Sequence, residues 1–168
     1  MSKIDYNNID YAHREGQEDT DYGIAVEVFS GLFNSGFTLN FEKREPWSID
    51  DMRFTASTRN NKEYTHKVEI KTRNQDMSKY HDLPIKCDKL ARLRGICGKN
   101  DRLLYFVICN YSEWYLFDLN AVDLNKCRLE MWHIPITQYA KDKSKVEYED
   151  APTFFIPVKE AIKHGILL

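Results

Sequence analysis

The chain has 168 residues, 42% apolar and 30% charged, which is room for one ordinary domain with a core and excludes a two-domain enzyme. Its 9 Phe, 10 Tyr and 3 Trp argue against general disorder, no apolar run approaches a membrane span, and Met1–Asn8 has no apolar stretch of the kind a secretory signal carries. A net charge of −2, from 24 basic and 26 acidic residues, excludes a protein that coats nucleic acid through bulk charge.

The average conceals a gradient. Residues 1–27 carry two basic and seven acidic side chains, residues 28–94 thirteen and nine, and residues 95–168 nine and ten. The middle third, at +4, is where an anionic partner is expected.

In chain order, a polar leader over residues 1–18 precedes a predicted helix from about Thr20. Ile24, Val28 and Leu32, with Phe29 and Phe33 one step round, form its apolar stripe, Thr20 or Asp21 could cap it, and Asn34-Ser35-Gly36 ends it. Phe37, Leu39 and Phe41 then alternate with polar residues as a half-buried strand. Met52, Phe54 and Ala56 mark a second strand, and Val68 and Ile70 lie opposite Lys67, Glu69 and Lys71 on a third. The polar cluster Arg59–Lys62 between them makes the pair a hairpin.

A loop from Arg73 to Pro84 leads into a predicted helix over Ile85–Cys97, with Leu90, Leu93 and Cys97 on one face. Leu103–Cys109 is continuously apolar, as a strand buried on both faces would be. Trp114–Leu119 and Arg128–Ile134 read as further strands, Lys141–Asp150 as a charged loop, and Phe154–Pro157 as the lead into a short terminal helix. The order predicts an α/β three-layer sandwich with a central mixed β-sheet flanked by helices. Residues 1–168 form a single domain in this reading, with a core over about 20–109 and additional strands and the terminal helix in 110–168. Cys87, Cys97, Cys109 and Cys127 show no metal-ligand spacing; they read as reduced thiols of a cytoplasmic protein.

The chemistry concentrates in Ser48–Phe54 and Lys67–Arg73. Residues two apart on a strand share a face, so Glu69 and Lys71 project together while Val68 and Ile70 face the core. A carboxylate at the entrance of the neighbouring antiparallel strand, Asp50 or Asp51, would lie beside Glu69. Two carboxylates and the carbonyl of Ile70 are hard oxygen ligands of the kind Mg²⁺ or Mn²⁺ takes, and a lysine two residues on can orient or deprotonate the attacking water and stabilise the pentavalent transition state. Asp51 shares strand parity with Arg53 and Thr55, opposite Met52 and Phe54, and is the preferred partner.

Asp51 followed 18 residues later by Glu69-Ile70-Lys71 resembles the PD-(D/E)XK nuclease superfamily, whose restriction-endonuclease-like αβββαβ core would run from about Thr20 to Cys109. No proline precedes the aspartate here. The resemblance implies catalytic roles for Asp51, Glu69, Lys71 and Glu27, the last as the acidic residue of the first helix. It also implies metal ligation by Asp51, Glu69 and Ile70, and phosphate contacts from Lys86, Lys89, Arg92 and Arg73. The implied activity is metal-dependent hydrolysis of phosphodiester bonds in nucleic acid, with DNA expected over RNA and a homodimer common in the family.

Plainer readings stand beside these. Lys86, Lys89 and Arg92 also suit a solvated helix face, and Lys62, Lys67 and Arg73 ordinary surface charge. His66 and His81 read as surface residues, Trp47 and Tyr80 as candidate stacking platforms, and Trp114, Tyr115 and Phe117 as core. The alternative function is a non-catalytic module on the same fold that binds nucleic acid or protein, and a third is an unrelated α/β domain in which Glu69-x-Lys71 is coincidence.

Overall fold

Alternating apolar residues over 37–73 make a β-meander, and the continuous apolar run at 103–109 supplies the strand buried beside it. The computed structural model describes residues 11–45, 47–135 and 148–167. Within them the order is α1 (Tyr11–Leu32), β1 (Phe37–Lys43), β2 (Met52–Thr58), β3 (Glu63–Arg73), β4 (Asp82–Lys86), α2 (Cys87–Ile96), β5 (Arg102–Cys109), β6 (Glu113–Asp118), β7 (Arg128–Pro135), β8 (Tyr148–Pro157) and β9 (Lys163–Ile166). Six strands form one sheet in the order β1-β2-β3-β5-β6-β9, and β4-β8-β7 form a second. The larger sheet is mixed: β3 runs parallel to β5 and antiparallel to β2. The expected architecture, a central mixed sheet between helices, is the one observed.

Strand parity divides the core in two. Leu104, Phe106 and Ile108 join Met52, Phe54, Val68 and Ile70 beneath Ala25 and Phe29 of α1. Leu103, Tyr105 and Val107 face the other way, against Leu90 and Leu93 of α2 and Leu83, Ile85 and Ile156 of the small sheet. The small sheet therefore shares the α2 layer. The β5–β6 turn takes two consecutive left-handed residues, Asn110 (φ 50°) and Tyr111 (φ 51°), the backbone a tight hairpin turn requires.

Several elements differ from expectation. α1 begins at least nine residues before Thr20, so Thr20 and Asp21 are interior to the helix and not its cap. Ala25 and Phe29 form its buried stripe, while Leu32 is exposed. Leu83-Pro84-Ile85 is strand β4, paired with β8, and α2 starts only at Cys87. The expected terminal helix is a single 3₁₀ turn at Val158–Glu160, followed by β9, which adds to β6. Residues 141–147 of the charged loop lie outside the described residues, and Tyr148–Asp150 open β8. Among the described residues no helix is long and apolar enough to cross a membrane.

Candidate active site

The site forms where β2 and β3 part. Their ladder ends at the pair Met52–Val68, and one residue earlier the Asp51 amide still donates to the Val68 carbonyl at 3.0 Å. The next acceptor is a side chain: Asp51 Oδ2 takes the Ile70 amide at 2.8 Å. In a strand the N–H and C=O of one residue point to the same edge, so the Ile70 carbonyl also faces Asp51 and lies outside the β3–β5 ladder.

Glu69 and Lys71 project from the opposite face to Val68 and Ile70, towards α2. Their neighbours on β5 are Tyr105 and Val107, which form an apolar floor. Glu69 is only 1% exposed, and two ammonium groups hold it: Lys71 Nζ lies 2.8 Å from Oε1 and Lys89 Nζ, from α2, 2.8 Å from Oε2. Both contacts combine ion pairing with hydrogen bonding from the ammonium groups.

The electrostatics separate the two acids. Burial presses the Glu69 carboxyl upward, but Lys71 and Lys89 outweigh it and bring it below the ordinary carboxylate range. Asp51 is pushed up to about 6, by burial first and by the Glu69 charge second; Lys71, the Ile70 amide and Lys89 offset only part of this. For Lys71 desolvation works downward, yet Glu69 and Asp51 prevail and raise it above the ordinary lysine value. At neutral pH the pocket thus holds two ionised, mutually repelling carboxylates and a lysine that stays protonated. Among the described residues no three His, Cys, Asp or Glu side chains gather around one point. A cation here would rely on two carboxylates and the Ile70 carbonyl. The donor set fits Mg²⁺ or Mn²⁺, which use few protein oxygens and keep waters for the rest, and the repulsion at Asp51 is what a cation would relieve.

The two adjacent aspartates have different partners. Asp50, also 1% exposed, receives Arg53 Nε at 2.6 Å and Nη2 at 3.3 Å, with Arg44 Nε at 3.7 Å. It is occupied by arginines, while Asp51 faces the β3 backbone.

Glu27 is exposed on α1. Two positions beyond Ala25, it lies well round the helix from the buried Ala25–Phe29 stripe. Another acid of α1, Asp21, is partly buried. Its carboxyl accepts from Tyr111 Oη and Gln17 Nε2, each at 2.9 Å. Burial raises Asp21, Thr72 and Tyr111 offset that by hydrogen bonding, and Lys71 is near enough to pull it down. A sequence signal for it exists: Asp21, Ala25 and Phe29 recur every four residues, so the buried stripe extended one turn back ends on an aspartate.

Of the basic residues expected at phosphates, Arg92 is exposed and the other three have protein partners. Lys86 pairs with Glu149, Lys89 with Glu69, and Arg73 Nη2 donates to the Pro84 carbonyl at 3.3 Å. His66 is buried, stacked on Phe54 at 4.3 Å, and is not a surface residue. Trp47 and Tyr80 are 79% and 56% exposed. Cys109 is buried and Cys87, Cys97 and Cys127 partly buried, all as free thiols.

No family model matches the chain, and no curated protein matches it. Among solved structures it is similar to that of Archaeoglobus fulgidus Hjc, a Holliday junction resolvase from an archaeal hyperthermophile, at 14% identity and a TM-score of 0.45, over 86% of this chain and 91% of that one.

Proposed function

We propose that this protein is a metal-dependent nuclease that hydrolyses phosphodiester bonds. The observation that carries this reading is the pairing of Asp51 with Glu69 at the parting of β2 and β3. There a buried carboxylate held by two lysines and a second one pushed up to about 6, partly by the charge of the first, stand beside the Ile70 carbonyl. A structural ion pair has no need of two acids in mutual repulsion; a divalent-cation site does.

Asp51, Glu69 and the carbonyl of Ile70 would hold Mg²⁺ or Mn²⁺. Such a cation supplies a water of lowered pKa and offsets charge on the phosphate. Lys71, 41% exposed with its ammonium 2.8 Å from Glu69, reaches from this group towards solvent. Because its neighbours keep it protonated, it serves as a fixed donor and positive charge. It orients the attacking oxygen and stabilises the anionic transition state. DNA over RNA follows from the family resemblance of the Asp51…Glu69-Ile70-Lys71 pattern.

The test is cleavage of plasmid, single-stranded DNA and RNA with Mg²⁺ or Mn²⁺, comparing the parent with Glu69→Ala and Lys71→Ala. Cleavage by the parent that is lost in both folded variants supports the reading. Cleavage unchanged in the variants refutes it, and binding without cleavage by the parent would favour the non-catalytic module.

A further inference from the structure

The second lysine on Glu69 is an unexpected occupant. Lys89 comes from α2, is 25% exposed, and lies 2.8 Å from Glu69 Oε2. The same ammonium donates to the Ile49 carbonyl at 2.7 Å, two residues before Asp51. One side chain therefore bridges the turn that delivers Asp51 and the strand that delivers Glu69. Lys71 already neutralises Glu69 at its other oxygen, so Lys89 brings a second positive charge to one buried carboxylate. Together the two ammonium groups balance the charges of Glu69 and Asp51 where a cation would bind.

We propose that Lys89 is a positioning residue that occupies Glu69 in the cation-free protein and yields Oε2 to the divalent ion, so that ammonium and metal compete for one carboxylate. The inference rests on the metal-site reading above and deepens it. The bridge to Ile49 keeps the two acids in register while the site is empty, and the ammonium stands in for the missing charge. The same charge repels an incoming dication. Even with water-like screening, a unit charge about 5 Å from a divalent ion weakens its binding about tenfold.

The experiment is titration of the full chain with Mn²⁺ alone, read by the electron paramagnetic resonance of the free ion, with no nucleic acid present. Lys89→Met and Lys89→Gln are expected to bind Mn²⁺ about tenfold more tightly than the parent, and Lys89→Arg, which keeps the charge, to match it. Lys89→Gln retains a donor for the Ile49 carbonyl, so it separates lost charge from a lost tether if Lys89→Met folds poorly. Equal or weaker binding in a folded neutral variant, with the parent still binding, overturns the competition and leaves the metal site standing. No binding by the parent, or undiminished binding in Glu69→Gln, overturns the metal-site reading and the competition together.

Discussion

Replacing Asp51 by Asn should stabilise the cation-free protein. The folded environment pushes the Asp51 carboxyl up to about 6 against 3.8 for an unperturbed side chain, through burial and the Glu69 charge. A raised acid favours the protonated form in the folded state. Its effect is absent below pH 3.8, develops between 3.8 and 6 as the unfolded chain ionises first, and is fully destabilising above 6. A gap of about two pKa units corresponds to about 3 kcal/mol, or roughly 6–12 °C in Tm for a chain of this size. Asn is nearly isosteric and its carbonyl oxygen can still accept the Ile70 amide, so the hydrogen bond of 2.8 Å survives. Thermal or urea unfolding of the parent and Asp51→Asn in EDTA, at pH 4 and pH 8, gives the answer. The variant should be more stable at pH 8 and nearly equal to the parent at pH 4. A variant less stable than the parent at pH 8, or a gain as large at pH 4, would refute the assignment of strain to this carboxylate.

Asp50→Asn is expected to act differently from its neighbour: it removes the carboxylate that Arg53 binds and leaves Arg44 only Glu42, lowers stability by about 1–3 kcal/mol in urea unfolding, and leaves Mn²⁺ affinity unchanged. His66, held below its ordinary value chiefly by burial, stays neutral in the fold while the unfolded chain protonates. Its contribution is present above pH 6.5 and lost as pH falls below it, so the stability of the parent relative to His66→Phe should decline between pH 7 and pH 5 in urea titrations. Phe29→Ala removes a fully buried ring 5.0 Å from Phe54 and 5.4 Å from Phe106 and should lower unfolding free energy by about 3–5 kcal/mol.

Strand parity was the most legible feature of the sequence. Val68 and Ile70 against Glu69 and Lys71 placed the acid and the lysine on one face, and the Asp51 position followed from Met52 and Phe54. Leu103–Cys109 read as a doubly buried strand because both faces are apolar. The phase of α1 was harder. Ile24, Val28 and Leu32 compete with Ala25 and Phe29, and alanine carries little hydrophobic weight although it lets the helix approach the sheet. That difference of phase puts Asp21 on the buried side of α1 and leaves Glu27 exposed. Strand β4 was hidden because Leu83-Pro84-Ile85 is short and holds a proline beside a helix, and its pairing with β8 is a contact across about seventy residues that no local pattern reports. Lys89 was recognisable as a basic residue on a helix, but only the crossing of α2 over β3 turns it from solvent towards Glu69.

The central claim, that Asp51 and Glu69 share one divalent cation, is tested most directly by anomalous diffraction from crystals grown with Mn²⁺. The account predicts one strong peak about 2.1–2.2 Å from a carboxylate oxygen of each residue and from the Ile70 carbonyl. Carboxylates that remain apart with no peak between them, or a peak ligated by other residues alone, would contradict it.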